Sequence, residues 1–532
     1  MADAGVVEYA GPVTPGRRPC RASILIGLAL AGIVAIALSA RVYSLGKQAL
    51  FLDEFWNLEL ATGRGSLHLR LPSENLLTGV PRTTSLHGAP PWTAVWSNMD
   101  HVTHPPLYSL LLRGWIDVFG TSDMAARWLS VILSTAAILL LFDAVRVHND
   151  DIAAALWAAS IMAVAGAQVE LAQEIRPYTL LLLLGLGAID AIARIERFGT
   201  RPGRLAALAL CALAMVLTHY FALAAIAGLI TYAAWRLRSR DRIRVIAALS
   251  IACLLFALLW APSMIAQSLS LADGDSWLRV DEEHHLLQTV RRLAILPMLM
   301  LFNPQRTASP IIYASSVVLI IPVLLLRRRP QLLLWIAWFW STVAAIAAME
   351  QLRTTRHLQF LRYTLLATPA LYAMLAEIVP PAPPRMFAWL RQLVPGTVVL
   401  CCVLSLPAAY YPWKPDYREL AQFLDRAHET GAPVIFCSSA GSSTGGAEMY
   451  IGASHYARSY PWPFVMVETR PSDDLLAQLR KFPTVIVIAA PSGLMASDLF
   501  PGATVDRRQL VPYLATLERV RNAAPANPGA PP

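Results

Sequence analysis

Charged residues are scarce in this sequence, and cysteines form no recognisable pattern. Only 15% of the 532 residues are Asp, Glu, Lys or Arg, whereas 56% are hydrophobic, and the mean hydropathy is +0.49. This composition indicates a polytopic membrane protein rather than several soluble domains. The six cysteines lie mostly in apolar runs without CxxC spacing, so neither a disulfide framework nor a zinc site is predicted.

The formal net charge of +9 does not indicate nucleic-acid binding. The basic residues gather in short runs between apolar segments, as in Arg201–Arg204, Arg236–Arg244 and Arg327–Arg329. Loops held on the cytoplasmic side of a membrane have this character. The charge therefore reflects membrane topology, and nucleic acid is not expected as a partner.

The sequence contains apolar runs long enough to span a bilayer, which takes ~17–25 residues. They lie near 23–42, 124–145, 152–169, 178–194, 204–218, 220–236, 243–263, 308–326, 331–349, 362–379 and 386–409. Two more, 105–119 and 286–303, are ambiguous. If 105–119 does not cross, the arginine-rich loops all fall inside. This predicts about eleven spans, with 105–119 and 286–303 as helices embedded along the outer surface.

The domain organisation follows from this topology. Residues 1–22 form a cytoplasmic N-terminal segment, and the first run, with no clear cleavage site, is a retained signal anchor. The transmembrane module covers 23–410 and includes a large first external loop, 43–123. A soluble tail at 411–520 alternates strand-like and helical segments, which predicts a small α/β domain outside the membrane. Residues 521–532 form a disordered tail.

Ionisable residues from distant parts of the chain meet at one membrane boundary in this topology. They are the pair Asp53–Glu54, His104, the segment Glu170–Tyr178, His219 and the loop Glu350–Tyr363. Any one of them could be a loop residue solvated by headgroups. Together they indicate a functional site, because ionisable groups at a membrane are costly unless they are used.

Glycosyl transfer from a polyprenyl-phosphate sugar needs such a set of residues. The acceptor hydroxyl must lose a proton as it attacks, so a carboxylate base is required, and Asp53 or Glu54 can supply it. The phosphate leaving group needs cations rather than an acid. The candidates are His104, Arg176, Arg353, Arg356 and Arg362.

Five stretches resemble bacterial membrane glycosyltransferases of the GT-C superfamily, which includes protein O-mannosyltransferases and the lipid A aminoarabinose transferase. They are LDEFW, HPPLYSLLLRGWIDVFGTSDMAARWLS, EIRPYTLLLLL, THYFALAA and RYTLLATPAL, in the family's order over residues 23–380. The resemblance implies an α-helical, polytopic inner-membrane enzyme with its N-terminus in the cytoplasm and its C-terminal domain in the periplasm.

The resemblance also implies roles for single residues. Asp53 corresponds to the catalytic base, with Glu54 beside it, and His104 takes the place of a basic residue against the lipid phosphate. Glu174 would face the sugar, whereas Arg176 and Arg362 would face the phosphate. Tyr178, His219 and Tyr363 are candidate substrate-binding residues. The alternatives are a snorkelling anchor for Arg362 and an interfacial aromatic belt for both tyrosines.

The soluble tail is more similar to that of envelope glycosyltransferases than to eukaryotic protein mannosyltransferases. Lipid A, a polysaccharide or another envelope glycolipid is therefore a more natural acceptor than a protein. No external DxD motif accompanies the Asp53–Glu54 pair, and hard cations need several oxygen ligands. A metal-independent enzyme without a cofactor is favoured, although a divalent metal stays possible.

Two other classes of protein fit the topology. A polyprenyl-linked transporter would place ionisable residues at mid-membrane within broken spans, whereas the acids here stand at span ends. A non-catalytic envelope assembly or scaffold protein would not need Asp53 and Glu54. The glycosyltransferase interpretation requires Asp53, Glu174, Arg176 and Arg362 to face one cavity.

Overall fold

The fold is seen in a computed structural model of the chain. It describes residues 21–99, 102, 104–270, 278–280, 283–303, 316–378, 389–428, 431–437, 445–468, 470–489, 499–510 and 515–521. The predicted N-terminal segment and C-terminal tail therefore lie almost entirely outside the described residues.

The membrane module is built from apolar helices joined by short loops. In chain order they are α1 (Arg21–Val42), α2 (Leu52–Ala61), α3 (Trp92–Ser97), α4 (Leu107–Phe119), α5 (Asp123–Asn149), α6 (Ile152–Val164), α7 (Gly166–Ala172), α8 (Tyr178–Phe198), α9 (Pro202–Val216), α10 (Ala222–Arg236), α11 (Ser239–Ser270), α12 (His285–Phe302), α13 (Val317–Leu325), α14 (Leu332–Arg353), α15 (Leu361–Thr364), α16 (Thr368–Glu377) and α17 (Leu390–Ala409). Within the described residues, seven helices are long and apolar enough to cross a membrane, or eight if α6 and α7 count as one span.

One end of the module is sealed by polar contacts between the loops that were predicted to lie inside. Arg197 pairs with Asp150 at 2.9 Å, and Arg391 pairs with Asp151. Thr200 donates a hydrogen bond to Asp241 at 2.7 Å. These contacts join loops that follow α5, α8, α10 and precede α17, so all of them lie at the same end. The loops predicted to lie outside meet at the other end.

The run at 152–169 is not the straight span that its composition predicts. It breaks after Val164 into α6 and α7, which are bent by 57° relative to each other. Gly166, at the break, faces the carbonyl of Phe302, and a Cβ there would lie 3.3 Å from that oxygen. The bend therefore lets the end of α12 pack closely against this helix pair.

The helix α12 lies along the face that carries Asp53. At its start, His285 Nε2 donates to the carbonyl of Glu350 at 3.1 Å; at its end, Asn303 Nδ2 donates to Glu170 at 2.6 Å. Glu350 and Glu170 stand near the ends of α14 and α7, at the outer end of the module. This agrees with the embedded helix predicted at 286–303, although its length and composition would also permit a crossing.

The C-terminal domain is a five-stranded sheet with three helices. Its elements are α18 (Tyr417–His428), β1 (Val434–Cys437), α19 (Gly445–Tyr456), β2 (Phe464–Val467), α20 (Asp473–Leu479), β3 (Thr484–Ala489), β4 (Thr504–Leu510) and β5 (Ala515–Arg521). The strand order is β2-β1-β3-β5-β4. Strand β1 is parallel to β2 and β3, whereas β5 is antiparallel to β3 and β4. The predicted fold class, a polytopic helical membrane protein with a small α/β domain, is confirmed.

The first external loop joins this domain to the membrane module. Leu77 exchanges two backbone hydrogen bonds with Phe464, at 2.8 and 3.0 Å, on the outer edge of β2. The loop thus extends the sheet, and the edge strand is covered rather than left exposed. Phe55 of α2 packs its ring against Tyr417, His455 and Tyr456, with centroids 5.2–5.9 Å apart.

Asp123, at the start of α5, links the two parts of this interface by polar contacts. It accepts hydrogen bonds from Tyr456 Oη at 2.7 Å, Arg418 Nη2 at 2.9 Å and His455 Nε2 at 3.1 Å. All three donors belong to the C-terminal domain. The Asp123 side chain is only 14% exposed. Removal of its carboxylate charge therefore leaves the three donors without their charged acceptor.

Asp123→Asn is expected to loosen the C-terminal domain from the membrane module, because the amide replaces a carboxylate that accepts three hydrogen bonds. The loss is about 1–3 kcal/mol, the cost of impaired charged hydrogen bonds. Hydrogen exchange in α19 and the thermal unfolding of the detergent-solubilised protein measure it.

Asp150→Asn is the matched control, since Asp150 also pairs with an arginine but is 81% exposed. An exposed pair contributes about 0–1 kcal/mol, so exchange in α19 should stay unchanged. Equal protection of α19 from hydrogen exchange in the Asp123 variant and in wild type would contradict the role of Asp123 in holding the C-terminal domain.

Candidate active site

The short helix α2 carries both acids of the candidate site. Phe51 stands before its first turn, and its backbone N–H donates to Glu54 at 3.0 Å, which satisfies a helix N-terminal donor. Asn57 Nδ2 donates to the carbonyl of Asp53 at 2.6 Å. Consecutive helical residues point ~100° apart, so Asp53 and Glu54 face different surroundings.

Glu54 is the centre of a buried charge network, and its side chain is 1% exposed. Arg127 donates to both of its carboxylate oxygens, from Nε at 2.9 Å and from Nη2 at 3.0 Å. Lys414 Nζ donates at 2.7 Å and the N–H of Ile175 at 3.2 Å. Burial opposes ionisation, but Lys414 and Arg127 hold the pKa of Glu54 below its usual value. This carboxylate is fully engaged by its neighbours.

Asp53 is partly exposed, and two arginines from distant loops hold it. Arg176 precedes α8 and forms an ion pair with Asp53 Oδ2, and Arg362 Nη1 contacts the same oxygen at 3.1 Å. Burial alone would raise the pKa of Asp53, yet Arg176 and Arg362 keep it below the usual value for an aspartate. The side chain stays 25% exposed, so a substrate can reach it.

Aromatic rings fix the orientation of both arginines. Arg176 lies over Tyr178, with its guanidinium carbon 5.1 Å from the ring centroid, and Nη2 donates to Tyr178 Oη at 3.0 Å. Arg362 lies over Phe360 at 5.3 Å and over Tyr363 at 5.1 Å. Cation–π contacts of this kind restrain a guanidinium without neutralising it. The predicted residues Tyr178 and Tyr363 thus support the two cations.

The two histidines of the prediction lie side by side, next to Tyr178. The ring centroids of His104 and His219 are 4.7 Å apart, and His219 is 5.9 Å from Tyr178. Burial, and then the neighbouring His104 and Arg176, lower the pKa of His219 well below its usual value. His219 Nδ1 accepts from the N–H of Phe221 at 3.2 Å. The neutral ring therefore carries its proton on Nε2, which has no partner among the described residues.

Glu174 is close to the site but is turned toward the charge network. Its carboxylate lies 3.2 Å from Lys414 Nζ, and its carbonyl accepts from Ser130 Oγ at 2.6 Å. The structure thus brings Asp53, His104, Arg176, Tyr178, His219, Arg362 and Tyr363 into one group. Glu54 and Glu174 occupy the adjoining network.

Three residues near the site were not predicted from the sequence. Arg127 had a usable signal, because an arginine inside an apolar span needs a partner. Lys414, one of three lysines in the sequence, follows the last span and shows no such signal. Glu448 lies on α19, the helix that packs over α2. Burial and the charge of Asp53 raise its pKa to about 7, and His68 acts in the opposite direction.

A metal site is not evident in the part of the chain that the structure describes. No group of three or more His, Cys, Asp or Glu side chains is arranged there to hold an ion. Asp53 and Glu54 are engaged by Arg127, Lys414, Arg176 and Arg362. Metal independence stays a prediction that the structure does not test.

Residues 103–265 match the protein family described as dolichyl-phosphate-mannose-protein mannosyltransferase. The fold is similar to apo ArnT from Cupriavidus metallidurans, with a TM-score of 0.56, 11% identity and coverage of 94% of this chain and 98% of that one. The same protein bound to undecaprenyl phosphate gives a TM-score of 0.55, 13% identity and coverage of 93% and 98%. An oligosaccharyltransferase from Archaeoglobus fulgidus, in complex with Zn and sulfate, gives a TM-score of 0.50 and 13% identity. The match covers 86% of this chain and 68% of that one.

No curated protein matches the chain. By their descriptions, the matched family consists of mannosyltransferases and the Archaeoglobus fulgidus protein is an oligosaccharyltransferase. The predicted fold is therefore confirmed, because the chain is similar to ArnT over more than nine tenths of its length.

Proposed function

We propose that the protein is an inverting glycosyltransferase that moves a sugar from a polyprenyl-phosphate donor to a hydroxyl group of an envelope acceptor. The acceptor is lipid A, a polysaccharide or another glycolipid, and the reaction occurs at the outer face of the bacterial inner membrane. One observation carries the proposal: Asp53 is held between Arg176 and Arg362 at the end of the helical module where the predicted outer loops meet.

Asp53 is the base in this proposal. It takes the proton of the acceptor hydroxyl as the oxygen attacks the anomeric carbon and the bond from that carbon to the phosphate oxygen breaks. A single carboxylate that acts only as a base corresponds to one direct displacement, so the configuration at the anomeric carbon inverts. No general acid is required, because the departing phosphate is already an anion.

Arg176 and Arg362 bind the donor phosphate and stabilise the charge that grows on it during transfer. Guanidinium groups bind phosphate oxygens in a bidentate way. The Nε2–H of His219 is a hydrogen-bond donor near Arg176. Because burial keeps the imidazole ring neutral, His219 adds no positive charge to the site. Positive charge thus comes from the arginines, and the mechanism includes no metal step.

Glu54 acts as a positioning residue. Five N–H donors from four residues already occupy its carboxylate, so it has little capacity to accept another proton. These contacts hold α2 against α5 and the segment before α8. Glu448 approaches Asp53 from the C-terminal domain, on the side that an acceptor from the periplasm would enter. We assign it to the acceptor side of the cavity.

The first prediction separates the two acids. Asp53→Asn should fold normally and lower the transfer rate by roughly two to four orders of magnitude, the usual contribution of a general base. Glu54→Gln should instead lower stability by about 3–5 kcal/mol, because it leaves Arg127 and Lys414 buried without their anion. Transfer assays and thermal unfolding of both purified variants measure this, and a fully active Asp53→Asn enzyme would refute the base.

The second prediction concerns the phosphate. Arg176→Lys and Arg362→Lys should each weaken donor binding and slow transfer at least tenfold, because an ammonium cannot reproduce the bidentate contact. Arg353→Lys is the control, since Arg353 is exposed at the end of α14 and should tolerate the change. If the first two variants match wild type, Arg353 or Arg356 becomes the candidate instead.

The third prediction concerns orientation. In a cysteine-free background, a cysteine at position 458 in the C-terminal domain should react with an impermeant maleimide added to intact spheroplasts. A cysteine at position 240, in the first turn of α11, should react only after lysis. Labelling of position 240 in intact spheroplasts would overturn the outer-face site.

A further inference from the structure

The two arginines assigned to the donor phosphate already have an anionic partner in the structure. Arg176 and Arg362 both contact Oδ2 of Asp53. A second anion that enters between them meets guanidinium groups whose charge Asp53 already balances in part. The base and the leaving group therefore compete for the same two cations.

We propose that the donor phosphate takes Arg176 and Arg362 away from Asp53, so that the base becomes active only when the donor is bound. This proposal rests on the proposed function, since it requires a polyprenyl-phosphate donor at these arginines. It fixes the order of events: the donor binds first, and the acceptor hydroxyl is activated second.

The chemistry gives the reason. A carboxylate that is paired with two guanidinium groups has a low proton affinity and is a poor base. When the phosphate accepts the hydrogen bonds of Arg176 and Arg362, the negative charges of Glu54 and Glu448 act on Asp53 with less opposition. Both of these acids lie near enough to Asp53 to interact with it electrostatically. The proton affinity of Asp53 then rises at the moment when a proton must be taken.

The protein around Asp53 permits this exchange. The backbone of α2 is fixed by the contacts of Glu54 and by the hydrogen bond from Asn57 to the carbonyl of Asp53. The Asp53 side chain is 25% exposed, whereas that of Glu54 is 1% exposed. Rotation about the side-chain bonds of Asp53 can therefore break its ion pairs without moving the helix.

The consequence for the reaction is that activation of the acceptor depends on the bound donor. Without donor, Asp53 is paired and does not activate hydroxyl groups. With donor, the partly exposed Asp53 side chain is released from its ion pairs and can accept a proton. The acceptor proton goes to Asp53 Oδ, and the electron pair of the broken bond goes to the phosphate oxygen held by the two arginines.

The test is a set of binding affinities for undecaprenyl phosphate in nanodiscs at pH 8, measured by microscale thermophoresis. Asp53→Asn removes the competing anion and should bind at least tenfold more tightly than wild type, although it is inactive in transfer. Asp53→Ser should behave in the same way, which guards against an effect specific to asparagine. Arg362→Gln should bind at least tenfold more weakly.

Glu448→Gln is the matched control, because it removes an acid that faces Asp53 but has no ion pair with either arginine among the described residues. Because its charge acts only at longer range, its gain in affinity over wild type should be far smaller than that of Asp53→Asn. Equal affinities for wild type and both Asp53 variants would overturn the exchange, as would a gain in Glu448→Gln as large as that in Asp53→Asn. If wild type and every variant fail to bind undecaprenyl phosphate, the proposed function falls as well. Weaker binding by Arg362→Gln alone would keep the function and overturn only the exchange.

Discussion

The site depends on the burial of one carboxylate, Glu54. The Glu54 side chain is only 1% exposed, and a buried carboxylate is stable only when neighbouring groups supply opposite charge and hydrogen bonds. Arg127, Lys414 and two backbone N–H groups supply them. Those partners come from α5, from the segment before α8 and from the segment after α17. A single side chain therefore fixes the relative positions of four parts of the chain that sequence separates widely.

Two adjacent acids acquire different chemistry through this arrangement. Asp53 and Glu54 have similar intrinsic acidity, and both are held ionised by cations. However, the Glu54 side chain is 1% exposed, whereas that of Asp53 is 25% exposed. Position on the helix, rather than residue type, therefore separates a buried structural anion from one that a small molecule can reach.

Much of this site could be predicted from the sequence. Asp53, Arg176 and Arg362 stand at the ends of apolar runs, and the arginine-rich loops fix which ends share a face. Lys414 could not be predicted, because its partner is set by the docking of the C-terminal domain. The direction of Glu448 depends on which face of α19 covers α2. The bend after Val164 was missed because no proline marks it, and its cause is packing against Phe302. Strand β2 has only four residues, too few for a periodic pattern.

The position of Lys414 has a consequence for biosynthesis. Lys414 is synthesised only after α17, the last apolar helix. Its ammonium group nevertheless completes the set of partners around Glu54, which lies near the beginning of the chain. Until then, a helix formed early in synthesis holds a carboxylate whose shell is incomplete. The first external loop therefore cannot reach its final arrangement during insertion of the early helices, and it does so only after the chain has been translated past Lys414.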